Sequence, residues 1–109
     1  MATTYKVLGQ LNPLANTDTT LYTVPGATQS VCSTLTICNQ AATAATFRVA
    51  IRIAGAPLAA PQYIAYDTIV PANDTVSLTI GLTLSATDIV TVRGSTTTLS
   101  FNLFGSETA

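Results

Sequence analysis

Charge is what this chain of 109 residues has least of: Lys, Arg, Asp and Glu together make up 8%, against about 25% in ordinary globular domains. There is no histidine and no tryptophan, and Lys6 and Glu107 are the single residues of their types. Each shortage excludes something. Without histidine the commonest proton-transfer group and metal ligand is missing, and two cysteines are too few thiolates for a zinc site. Four scattered cations, Lys6, Arg48, Arg52 and Arg93, cannot build the clustered footprint that phosphate neutralisation requires, so no nucleic-acid partner is expected. No stretch approaches the ~20 consecutive apolar residues of a membrane span. The start, Met-Ala-Thr-Thr-Tyr-Lys, has no basic segment followed by an apolar run, so no secretory signal is expected and folding in a cytoplasm is the default. No nucleophile elbow, phosphate-cradling glycine loop or metal-ligand pair is present. The expectation is a noncatalytic chain with no cofactor.

What the chain does have is alternation. In Thr75-Val76-Ser77-Leu78-Thr79-Ile80-Gly81-Leu82-Thr83-Leu84 every even position is aliphatic and every odd one is Thr, Ser or Gly. Strand side chains point to opposite faces with period two, so this run predicts one strand with a dry side and a wet side. Turn residues cut the rest into similar pieces: Thr4 to Gln10, Thr20 to Val24, Ser30 to Cys38, Thr46 to Ile53, Tyr63 to Val70, Ile89 to Val92 and Thr97 to Phe104. The predicted inward residues are Val31, Leu35 and Ile37 in the third piece and Phe47, Val49, Ile51 and Ile53 in the fourth, and Leu99, Phe101 and Leu103 share one side of the last. Isolated Gly81 marks a candidate bulge or bend. About eight short strands at regular spacing predict a single all-β domain over 1–109: a two-sheet antiparallel β-sandwich, either immunoglobulin-like or jelly-roll-like.

A mean hydropathy of +0.45 with so little charge is unusual for a solvated monomer. Thr, Ser, Asn and Gln could supply the missing polarity. The favoured expectation is that part of the surface is covered by copies of the chain or by a partner, because interface cores are depleted in charge.

The candidate chemistry is thin. Cys32 and Cys38 would stand about 20 Å apart on a straight strand, beyond the roughly 7 Å that a disulfide tolerates. They are expected on one face with Thr34 and Thr36, as half-buried thiols or as intermolecular partners. Arg48 and Arg52 share the outer face of their strand about 14 Å apart. They are either a solvated face or polar anchors, each able to fork to a carboxylate. Tyr5, Tyr22 and Phe104 are candidates for apolar contact. Asp67, Asn73 and Asp74 could offer oxygens to calcium, though turn or strand-end carboxylates in water are the simpler reading. Asp74 and Asp88 each precede a strand, in an echo 14 residues apart (Ala72-Asn73-Asp74-Thr75-Val76 and Ala86-Thr87-Asp88-Ile89-Val90), where a carboxylate accepts backbone N–H bonds. Tyr63 and Tyr66 are three apart on a strand, hence expected on opposite faces and unable to form one aromatic platform. Glu107 lies close to the C-terminus, where order is least expected.

Five segments together carry a resemblance: Thr4-Tyr5-Lys6-Val7-Leu8-Gly9-Gln10, Thr20-Leu21-Tyr22-Thr23-Val24-Pro25, Thr46-Phe47-Arg48-Val49-Ala50, Tyr63-Ile64-Ala65-Tyr66-Asp67-Thr68 and Leu99-Ser100-Phe101-Asn102-Leu103-Phe104-Gly105. In this order they resemble segments of small virion structural proteins of tailed bacteriophages. The resemblance implies a compact sandwich assembled in the host cytoplasm and attached to the virion in many copies. Its place there would be capsid decoration or cement, or an accessory part of neck, baseplate or fibre, with other virion proteins as partners and self-association into a homo-oligomer. The alternative is a host-surface or carbohydrate-recognition module of a tail fibre.

Overall fold

The alternating segments pair by folding the chain double. The computed structural model describes residues 2–109 and gives nine strands there: β1 (Thr3–Leu11), β2 (Thr19–Thr23), β3 (Gln29–Asn39), β4 (Ala45–Arg52), β5 (Tyr63–Val70), β6 (Thr75–Leu78), β7 (Leu82–Leu84), β8 (Ile89–Gly94) and β9 (Leu99–Thr108). Strand β4 pairs with β5, β3 with β6 and β7, β2 with β8, and β1 with β9, all antiparallel. This nest of hairpins rolls up when β3 also pairs with β9 and β4 with β8. One sheet then runs β1-β9-β3-β6, with β7 beside β6 on β3; the other runs β2-β8-β4-β5. The result is an antiparallel β-sandwich with jelly-roll connectivity, which decides between the two types left open by the sequence.

Between the sheets lies one apolar core. Leu35 and Ile37 of β3 and Leu99, Phe101 and Leu103 of β9 face Phe47 and Val49 of β4 and Val90 and Val92 of β8, all essentially inaccessible. Phe47 and Phe101 meet edge to face across the sheets, ring centres 6.3 Å apart, an arrangement favoured by the ring quadrupoles.

Where alternation is unbroken it predicts the core correctly; where a bulge intrudes it does not. A bulge puts one extra residue in one strand and reverses which parity points inward beyond it. In β3 the register shifts between Cys32 and Thr34. Cys32 is therefore buried and Val31 exposed, while Leu35 and Ile37 stay inside. The two cysteines thus lie on opposite faces, not on one, and both are free thiols. Gly105 sits opposite Cys32, where a side chain would run into the Val31 carbonyl and the Cys32 Cα. In β2 a shift between Thr20 and Tyr22 lets Leu21 and Tyr22 both turn inward.

Two further expectations are corrected. The run from Thr75 to Leu84 is two strands, because Gly81 takes a left-handed φ of +57°, a conformation open to glycine at little cost. Ile80 is exposed there, and the extra strand raises the count from about eight to nine. Ile53 is not inward: the chain leaves β4 in a 3-10 turn over Ile53–Gly55, with Ala54 also left-handed, and Ile53 is 72% exposed.

Candidate interaction surfaces

Lys6 and Glu107 occupy alternate positions turned toward the partner sheet. Glu107 reaches Tyr22 on β2 and Lys6 reaches Glu107, 3.2 Å from Nζ to Oε1. The outward positions of the β1-β9-β3 sheet are therefore free of charge. Across the strands they form rows: Tyr5, Ser106, Val31 and Thr83, then Val7, Phe104 and Thr34. Further along come Gln10, Asn102 and Thr36 with Ser77, then Ser100, Cys38 and Thr75. Among the described residues this five-stranded face carries no Lys, Arg, Asp or Glu side chain. Tyr5 is 84% exposed, with Val7 and Val31 exposed beside the half-buried Phe104. Two of the expected apolar contacts, Tyr5 and Phe104, thus share one patch.

Tyr22 does not join them. It is 7% exposed, and its hydroxyl donates to Glu107 Oε2 at 2.5 Å while lying 2.6 Å from Ser30 Oγ. A phenol has one proton to give, so Ser30 donates to Tyr22. Burial first, then the Glu107 carboxylate, push the Tyr22 hydroxyl up to about 12. The Tyr22 hydrogen bond holds Glu107 below the usual carboxylate range, with Lys6 adding to it. Glu107 is an ordered part of β9, bonded on both sides.

The outer face of the other sheet is where the charge lies. Arg48, directly opposite Arg93 on β8, would be repelled by it without two carboxylates. Asp67 accepts from Arg48 Nε at 2.7 Å and Nη2 at 3.2 Å, and Asp18 lies 3.6 Å from Arg93. The hydrogen bond from Arg48 lowers the Asp67 carboxyl below its ordinary range. Arg48 thus forks to a carboxylate, but to one in its own chain. Arg52 is also satisfied internally: Nε donates to Ala56 O at 2.8 Å and Nη2 to Gly55 O at 3.1 Å. The two arginines share the outer face as expected, yet each holds its own fold. Asp67, offered as a calcium ligand with Asn73 and Asp74, is engaged by Arg48 instead.

The residues missed by sequence reasoning are Tyr63 and Tyr66 as a pair. Strand β5 carries two bulges against β4: Phe47 pairs with Thr68, Val49 with Ala65, and the next residue, Ala50, with Tyr63. The extra residue between Tyr63 and Ala65 reverses parity, so Tyr63 and Tyr66 fall on one face. Their rings stand perpendicular, centres 5.0 Å apart. The second bulge places Tyr66 and Asp67 together opposite Arg48, and Arg48 uses both: its guanidinium lies 4.0 Å over the Tyr66 ring while forking to Asp67. Asp67 takes the left-handed φ of +51° that this needs, tolerable for aspartate. The tyrosine corner opens into a concavity of about 500 Å³ walled by Leu58, Ala59 and Ala60. No signal in the sequence could have found this pair, because the bulge is defined by the partner strand.

Comparison with known proteins finds no matching family model, no matching curated protein and no matching solved structure.

Proposed function

We propose that the chain is a noncatalytic structural protein of a tailed-bacteriophage virion, a capsid decoration or cement protein or a neck or tail accessory part, binding other virion proteins in many copies. The observation that carries the reading is the uncharged outer face of the five-stranded sheet, with Tyr5, Val7, Val31 and Phe104 grouped at one end. Desolvating a charge costs far more than desolvating Thr or Val, so a face without charges is the cheapest one for a protein to cover. The resemblance of the five strand segments to small virion proteins supports the same reading. Mechanically the protein works by adhesion. Each copy presents a flat pleated surface, and many weak contacts on one particle add up to avidity.

The test places one charge on that face. Val31→Asp leaves the core intact, because Val31 is exposed. The wild-type chain is expected to bind stoichiometrically to particles lacking it, and the variant to lose that binding while melting at the same temperature. A wild-type chain that ignores such particles, or a variant that binds them as well as wild type does, would overturn the proposal.

A further inference from the structure

The corner made by Tyr63 and Tyr66 lies on the opposite sheet from the uncharged face and has no part in the proposed adhesion. We propose that it is a binding site for a neutral saccharide, with the tyrosine rings and the Ala59–Ala60 wall taking the apolar face of a pyranose and the Arg48–Asp67 pair taking its hydroxyls.

The volume is suitable, since about 500 Å³ falls within the roughly 300–1,000 Å³ typical of small-ligand sites. Its lining is apolar and aromatic. Tyr66 is 57% exposed even with the Arg48 guanidinium over its ring, so it stays accessible to a ligand in the concavity. Sugars present C–H groups on the face of the ring and hydroxyls around its rim; the concavity supplies the apolar wall, and the Arg48–Asp67 pair flanks it across Tyr66 rather than lining it. Tyr66 belongs to both halves: its ring lines the concavity and carries the Arg48 guanidinium at 4.0 Å.

The ion pair is half-used. A guanidinium has five N–H donors, and Arg48 commits two of its nitrogens to Asp67. Each Asp67 oxygen accepts one of these bonds and keeps further acceptor capacity. Donor and acceptor therefore stand side by side, which is what a pair of adjacent hydroxyls needs, since each hydroxyl can both give and take. The two charges cancel, so an anionic or cationic ligand would gain from one partner and be repelled by the other. A neutral ligand suffers neither.

The wall is also held in place before any ligand arrives. Gln62 accepts from Ala59 N–H at 2.9 Å and donates to Pro57 O at 2.9 Å. Arg52 holds the Ala56 and Gly55 carbonyls, and Asp88 accepts from Ala54 N–H at 2.9 Å. A preformed wall spares the ordering cost that weakens flexible sites.

The experiment screens the wild-type chain against a printed array of neutral glycans, then titrates the best one, and separately a decaproline peptide, into isotope-labelled protein by NMR. Saturable shifts confined to residues 58–67 are expected with the glycan and none with the peptide. Tyr66→Ala removes an exposed ring and is expected to weaken binding at least about tenfold with the spectrum otherwise unchanged. Asp67→Asn, which keeps the shape and removes the charge, is expected to weaken it as well. The Val31→Asp chain should bind glycan like wild type, so this site and the adhesive face stand or fall separately. No retained glycan, shifts elsewhere on the molecule, a Tyr66→Ala chain that binds normally, or a preference for decaproline would each overturn the assignment.

Discussion

The Tyr22 hydroxyl on β2 and the Glu107 carboxylate on β9 join the two sheets through a hydrogen bond of 2.5 Å. Lys6 on β1 closes the same group from the edge. On β9 the inward aliphatics end at Leu103, and beyond Gly105 this polar clasp continues the contact between the sheets beside the buried Leu84.

Removing the hydroxyl should be costly, because bonds to charged acceptors are worth about 1.5–3 kcal/mol. Tyr22→Phe is expected to lower unfolding free energy by about that amount, read from urea denaturation at neutral pH. The pH dependence follows from both partners. Glu107 is depressed in the folded chain, so its contribution is present above its ordinary value of 4.5 and is lost as pH falls through the lower folded value. Tyr22 is raised, so its contribution is complete below its ordinary 10.0 and is lost as pH rises through about 12. Stability should therefore hold a plateau between these limits. Glu107→Gln should flatten the acid limb, and an unchanged acid limb would show the clasp to be without effect.

Gly105 should be close to irreplaceable. It allows β9 to approach the β3 bulge, and a Cβ there would collide with backbone rather than with a yielding side-chain tip. Gly105→Ala is expected to cost about 1–3 kcal/mol or more, the range for overpacking. Gly26→Ala is the control: nothing lies within 4 Å of its Cβ position. That variant should match wild type or gain a few tenths of a kcal/mol from a stiffer unfolded chain.

Both glycine and clasp show how far the sequence could be read. Period-two alternation located the strands and, in β4 and β9, the core residues Phe47, Val49, Leu99, Phe101 and Leu103, because there the ladder is regular. It failed at Cys32, Tyr22 and Tyr63, each next to a bulge. A bulge is a mismatch between two strands far apart in the chain, and neither strand alone carries its mark. The same non-locality left jelly roll and immunoglobulin-like sandwich undecided, since these differ in which strand neighbours which. The interaction surfaces suffered most. Arg48 and Arg52 were placed on the correct face, but their partners, Asp67 and the turn at Gly55–Ala56, depend on that same pairing.

The two thiols should behave differently toward a reagent. Cys32 is 1% exposed, and burial pushes its thiol up to about 11, which suppresses the thiolate that reacts. Cys38 lies half-buried on the outer face. Ellman's reagent at pH 8 is expected to label Cys38 in the native chain and to reach Cys32 only after addition of denaturant. The Cys38→Ser chain should give almost no native signal. Rapid labelling of that variant would place Cys32 outside the core.

The echoed aspartates offer a final comparison, because one turn is wrapped in structure and the other is not. Asp88 is 7% exposed. Its carboxylate accepts from Ser85 N–H in its own turn and from Ala54 N–H in the distant 3-10 turn, both at 2.9 Å. Asp74 is exposed, and its carboxylate accepts only from the adjacent Thr75 N–H at 2.8 Å. Truncating Asp88 leaves the N–H groups of Ser85 and Ala54, both in part-buried bonds, without this acceptor; the cost of about 1–3 kcal/mol for each fully buried group is then reduced by water. Asp88→Ala is therefore expected to destabilise by about 1–3 kcal/mol. Water can replace the carboxylate at Asp74, so Asp74→Ala should cost well under half as much. Asp88→Asn keeps one acceptor and should fall between the two. Because Asp88 also steadies the Ala54 turn that leads into the Tyr63 corner, its loss should broaden the NMR signals of residues 53–62. Equal melting temperatures for Asp88→Ala and Asp74→Ala would mean that the turn over Ile53–Gly55 is held without Asp88.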